Sequence, residues 1–211
     1  MKINLNIPEN LSEITLAQYQ KWIKIIDNEE LSTFFQQKMI EIFCNADLKD
    51  ILNMRVKDVD EVTAHIDNIF NEKPKFQATF ELDNVEYGFI PKLDEMTFGE
   101  YVDLDTYMGE WDSMSSAMSI LFRPIKYKRK DKYLIEDYEG SDKHNLSNMP
   151  LNVVMGALVF FCNLRSELQT HILNYLKTQD TVHIPQELKD SLASGVGINP
   201  FTDLQRAILE N

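Results

Sequence analysis

The stretch Phe76-Gln77-Ala78-Thr79-Phe80-Glu81-Leu82-Asp83-Asn84-Val85-Glu86-Tyr87-Gly88-Phe89-Ile90 decides the fold class. Phe76, Ala78, Phe80 and Leu82 alternate with Gln77, Thr79 and Glu81, the period-2 pattern of a half-buried strand. Asp83-Asn84 suits a two-residue turn, and Val85–Ile90 returns as the second strand. Pro91 stops it. Everything before this hairpin reads as helix, so strands and helices are segregated. The expected class is α+β, a mostly helical body carrying two small antiparallel β-hairpins.

Upstream, Thr15 with Gln18 forms a capping box, followed by Leu16, Tyr19, Ile23 and Ile26 at helical spacing. A second helix is expected over Leu31–Phe43, and shorter ones near Asp47–Asn53 and Asp58–Phe70, with Pro74 ending the block. Downstream, Thr97 with Glu100 opens a helix to about Met108. Another is expected from Trp111 to Phe122, closed by Arg123-Pro124. Ile125–Tyr138 reads as the second hairpin, turning around Arg129-Lys130-Asp131. A polar, exposed loop is expected over Glu139–Pro150. The longest helix then runs from Pro150 or Leu151 to about Lys177, its inward face formed by Val154, Leu158, Phe161, Leu164, Leu168, Ile172 and Leu176. Residues 1–184 are expected as one body and 185–211 as a C-terminal arm. Breaks at Gly195-Val196-Gly197 and Asn199-Pro200 precede an apolar anchor of Phe201, Leu204, Ile208 and Leu209. Such an arm suits a neighbouring subunit, and an unanchored tail is the alternative.

The chain has 211 residues, 44% of them hydrophobic, with 7 Gly and 7 Pro, which is enough to build a sizeable core. A net charge of −13 disfavours free association with nucleic acid or an anionic membrane. The apolar run Val153–Cys162 is about half the length of a membrane-spanning helix, so no membrane partner is expected. No secretory h-region follows Met1, and Cys44 and Cys162 show no ligand or disulfide spacing. Assembly in a reducing cytoplasm is the expectation.

The search for chemistry excludes more than it finds. Cys162 and His171 lie nine residues apart on one predicted helix, half a turn out of phase. Glu61 and His65 are one turn apart but lack a third ligand. An EF-hand loop starting at Asp137 would need glycine at its sixth position, where Asp142 stands. Glu100 and Asp103 share a helix face and read by default as a solvated acidic surface. Neither an enzyme active site nor a cofactor or metal site is expected.

One electrostatic feature remains. Lys126, Lys128, Arg129, Lys130 and Lys132 crowd seven residues against Asp131 alone, a segment of +4 that leaves −13 − 4 = −17 on the rest. Three readings stay open: a strand edge protected by lysine, a plug for the acidic face of an identical neighbour, or a nucleic-acid contact. The expected subunit-contact residues are these five cations together with Phe201, Leu204 and Ile208.

The run Gly88-Phe89-Ile90-Pro91-Lys92-Leu93-Asp94-Glu95-Met96-Thr97-Phe98-Gly99-Glu100-Tyr101-Val102-Asp103-Leu104-Asp105 adds a resemblance. With Ala117–Ile125, Tyr138-Glu139-Gly140 and the helix Ala157–Leu164, it resembles a virion protein of crAss-like and related tailed phages of gut Bacteroidetes, over roughly residues 85–165. The resemblance implies a structural, non-enzymatic subunit of the head–tail connector or tail, repeated as a ring. Its partners would be other copies of itself, the portal or other tail proteins, and DNA passing through the lumen without specific binding. Its place would be the virion. A tail-assembly chaperone and a packaged capsid cargo protein are the alternatives. The resemblance carries no residue-level role, and the N-terminal third lies outside it.

Overall fold

The computed structural model describes residues 5–26 and 33–178, with side chains described as far as 164. Seven α-helices and one four-stranded antiparallel sheet appear among them, so the class is α+β. Phe201, Leu204 and Ile208, like the whole expected arm, lie outside the described residues. The described residues divide into two compact units, one within 1–75 together with 145–155, the other within 76–144 together with those from 156 to 178.

The first unit is helical: α1 (Leu16–Ile26), α2 (Thr33–Phe43), α3 (Leu48–Ile51), α4 (Val56–Phe70) and the first turn of α7 (Leu151–Thr178). The expected capping box forms at α1, where Thr15 N donates to Gln18 Oε1 at 2.9 Å and Gln18 N to Thr15 Oγ1 at 3.2 Å. Gln18 then turns inward and donates Nε2 to the Ile42 carbonyl at 2.7 Å, so a capping residue also ties α1 to α2. Rings of Tyr19, Trp22, Phe35, Phe43 and Phe70 pack edge-on or tilted against one another, and Ile40 and Ile66 in the same unit have no solvent exposure. The start of α7 joins this core through Leu151 N donating to the Ile14 carbonyl at 2.8 Å and Leu16 N to the Met149 carbonyl at 2.9 Å. The loop expected to be polar and exposed is therefore corrected in part: Leu146 and Met149 are fully buried. Two isolated apolar residues among Asn, Ser and Lys carry no periodic signal, and only the fold gives them a core to enter.

The second unit holds the sheet, in strand order β1 (Thr79–Leu82), β2 (Val85–Phe89), β3 (Phe122–Arg129) and β4 (Lys132–Ile135). The first hairpin turns at Asp83 and Asn84, both at positive φ (52° and 61°), the conformation of a type I′ turn that Asp and Asn tolerate. Strand β1 begins three residues later than its alternation suggests. Phe76 instead stacks on Phe160 at 4.6 Å and meets Phe89 edge-on. The connection from β2 to β3 carries α5 (Phe98–Tyr107) and α6 (Met114–Leu121), the latter buried from Ala117 to Leu121.

The helix expected to reach Phe122 stops at Leu121, and the chain passes directly into β3. Pairing across β2 and β3 (Gly88↔Arg123, Phe89↔Phe122) merges the two expected hairpins into one sheet. Pro124 sits inside β3 rather than ending an element. Its carbonyl accepts from Glu136 N at 2.9 Å, so its missing donor falls on the β4 side, beyond the last β4 residue, Ile135. Phe80, Phe89 and Phe122 line one sheet face and pack together, with Phe160 and Phe161 of α7 against Phe89. Full burial of a ring such as Phe122, which has no solvent exposure, contributes about 1.5–3 kcal/mol, and the half-buried Phe160 and Phe161 contribute less.

Candidate functional site

The β3–β4 hairpin is an edge of the sheet, and it carries the basic segment. Its turn is Lys130-Asp131, with Lys130 at φ +56°. A register shift between Ile125 and Tyr127 places Lys126 opposite no β4 residue, and past it the pairs are Tyr127↔Leu134, Lys128↔Tyr133 and Arg129↔Lys132.

The five cations divide into two groups. Lys126 donates to Asp137 Oδ2 at 2.9 Å and Lys128 pairs with Glu86 of β2, which ties the hairpin base to its neighbours. The Lys126 ammonium in turn holds the Asp137 carboxyl below the usual range. Arg129, Lys130 and Lys132 at the tip are exposed and, among the described residues, have no ion pair. Tyr127 and Leu134, cross-strand partners, are 59% and 64% exposed. The tip thus presents three unneutralised cations beside an apolar pair.

Tyr133 anchors the hairpin on the other face. Its ring covers Gly88, and its hydroxyl donates to the Phe89 carbonyl at 2.9 Å with the Ala78 carbonyl at 3.2 Å. A β-carbon at Gly88 would stand 2.5 Å from the Tyr133 ring. Glycine is required there by close approach.

A groove of about 510 Å³ opens at the foot of the hairpin, lined by Ile90, Pro91, Leu134, Ile135 and the Glu100–Arg123 pair. Arg123 Nη2 meets Glu100 Oε1 at 2.7 Å, with both side chains under a tenth exposed. The other Glu100 oxygen accepts from Thr97 N at 2.7 Å, completing the capping box of α5. Arg123 Nε is buried without a hydrogen-bond partner, and the Tyr138 ring lies over the guanidinium at 5.8 Å. Tyr138 donates its hydroxyl to Asp103 Oδ2 at 2.5 Å. Burial, then this bond to a carboxylate, pushes the phenol well above its ordinary range. The expectation of a solvated Glu100/Asp103 face is therefore overturned: both carboxylates are committed, one to a buried arginine and one to a tyrosine. The missed signal is Arg123, which sits 23 residues from Glu100 and becomes its neighbour only through β2–β3 pairing.

The remaining candidates separate. His65 Nε2 meets the Pro8 carbonyl at 2.9 Å while Glu61 pairs with Lys57 at 3.4 Å. Cys162 is buried, and the His171 side chain lies outside those described. Burial pushes the Cys44 thiol up to about 11, which suppresses the thiolate. In the acidic stretch 136–142, Lys143 bridges Glu136 at 3.2 Å and Glu139 at 2.8 Å. No group of three metal-ligating side chains occurs among the described residues. No helix among them is long and apolar enough to cross a membrane. The chain matches no protein-family model, no curated protein and no solved structure.

Proposed function

We propose that this chain is a structural virion protein of a tailed phage, forming a ring in the head–tail connector or tail through head-to-tail subunit contacts. The observation that carries the reading is the β3–β4 tip, where Arg129, Lys130 and Lys132 stand unneutralised beside exposed Tyr127 and Leu134 on a chain of net charge −13. Unpaired cations of this kind are worth little to the fold itself. They gain value when an acidic partner surface covers them, and in a heterologous contact that surface belongs to another copy. A ring closed this way would leave an acid-rich lumen, which repels DNA and lets it pass without adhering. The portal or other tail proteins would meet the ring axially. The resemblance over residues 85–165 points the same way.

The test is mass spectrometry of purified virions of the phage encoding the chain, with copy number measured against the capsid protein. A constant stoichiometry, on the order of a dozen per particle, is the expected result, because a heterologous contact that closes fixes the copy number. Presence in lysates with absence from particles would replace the ring by an assembly chaperone. Recovery from inside emptied capsids would indicate packaged cargo.

A further inference from the structure

The acidic partner surface can be sought on the chain itself. Between Lys92 and Arg123 the sequence holds seven acids and no basic residue. Helix α5 lies within this stretch, and its outward face is apolar. Phe98 is 81% exposed, with Tyr101 and Val102 also exposed. At 100° per residue, Phe98, Tyr101, Val102 and Asp105 fall within one arc of about 100°. Asp105 lies within this arc, exposed and, among the described residues, without an ion pair; Asp94, also exposed, stands four residues before Phe98 in the turn that leads into the helix, near Lys92. The opposite side of α5 is occupied by buried Glu100 and Leu104, so the outward face is a second surface and not a disordered core.

We infer that the outward face of α5 is the docking site for the β3–β4 tip of a second copy of this chain. The two surfaces match in kind. Each has a small apolar centre, Phe98, Tyr101 and Val102 on one and Tyr127 with Leu134 on the other. Each has unpaired charge at its rim, negative on α5 and positive on the tip. Apolar burial would supply affinity, and the opposite rims would set orientation and exclude like-to-like pairing. Because the two patches differ, one copy offers both halves of the contact and the interaction can propagate around an axis. The inference rests on the ring reading above and names the surfaces that would build it.

The experiment uses the full chain in dilute buffer at low salt, followed by sedimentation velocity over a concentration series. Two variants are compared with it: Arg129→Glu/Lys130→Glu/Lys132→Glu on the tip, and Asp94→Lys/Asp105→Lys beside α5. Circular dichroism checks folding, with Lys130→Gln and Asp105→Asn as milder replacements. Each variant alone is expected to associate at least tenfold more weakly than the wild type. Mixed in equal amounts, they are expected to recover association, since the natural tip of one meets the natural α5 face of the other and the two reversed surfaces match each other. A chain carrying both sets of reversals regains association, and Phe98→Ser weakens it without altering its salt dependence. Wild-type-like assembly of either variant overturns this contact and leaves the ring reading standing. A wild-type chain that stays monomeric throughout removes the ring reading together with the contact.

Discussion

Replacing Arg123 by Met should be among the most damaging single changes available outside the aromatic core. Arg123 is 6% and Glu100 4% exposed, with 2.7 Å between the interacting nitrogen and oxygen. At that distance two unit charges attract by about 6 kcal/mol for an effective dielectric of roughly 20. Desolvation offsets much of this in the intact pair, but Arg123→Met leaves Glu100 charged, buried and unopposed. The expected cost is about 3–5 kcal/mol. Glu100→Gln strands Arg123 instead while keeping a side chain able to complete the capping box with Thr97. The double variant should therefore be more stable than the sum of the singles predicts, by about 1–3 kcal/mol. Urea unfolding followed by far-UV circular dichroism measures all four proteins, with a common slope required for the comparison. A cost below about 1 kcal/mol for Arg123→Met, or strict additivity, would refute a buried pair at this position.

Gly88→Ala should cost about 1–3 kcal/mol, because the new methyl displaces the Tyr133 ring and with it the bond to the Phe89 carbonyl. Urea titration reads the loss, and an unchanged midpoint would contradict the close approach. Stability should also fall as pH rises above 10. Tyr19, Tyr87, Tyr133 and Tyr138 have folded pKa values raised chiefly by burial above the ordinary 10.0, so above pH 10 the unfolded chain releases phenolic protons that the folded chain retains. The native state then binds more protons, and unfolding becomes easier with each step in pH until the folded phenols ionise too. Absorbance at 295 nm should show these tyrosines titrating late in the native protein, and a single normal transition near pH 10 would contradict the expectation.

The features readable in the amino-acid order are the local ones. The capping boxes Thr15/Gln18 and Thr97/Glu100 span three residues, and the turn Asp83-Asn84 spans two, so each is satisfied within its own segment. The amphipathic spacing of α1 and α4 and the length of α7 belong to the same class. These suffice for an α+β chain with segregated hairpins. The basic cluster 126–132 was equally legible as composition. Which of its cations remain unpaired was not, because Glu86 and Asp137 reach Lys128 and Lys126 across the sheet, in a register that no local pattern specifies.

Residues distant along the chain account for the rest. The merging of two hairpins into one sheet depends on Gly88 meeting Arg123 and Phe89 meeting Phe122, 33 or more residues apart. That pairing ends α6 at Leu121, makes Pro124 tolerable within a strand, and removes Glu100 from solvent by bringing it a cation. Leu146 and Met149 likewise gain a core only when α1 and the start of α7 are joined through the Ile14–Leu16 backbone. Hydrogen bonds within one turn or one hairpin reward a segment for its own sequence. Burial and ion pairing across the chain reward it for where the other segments lie, and a linear pattern does not contain that.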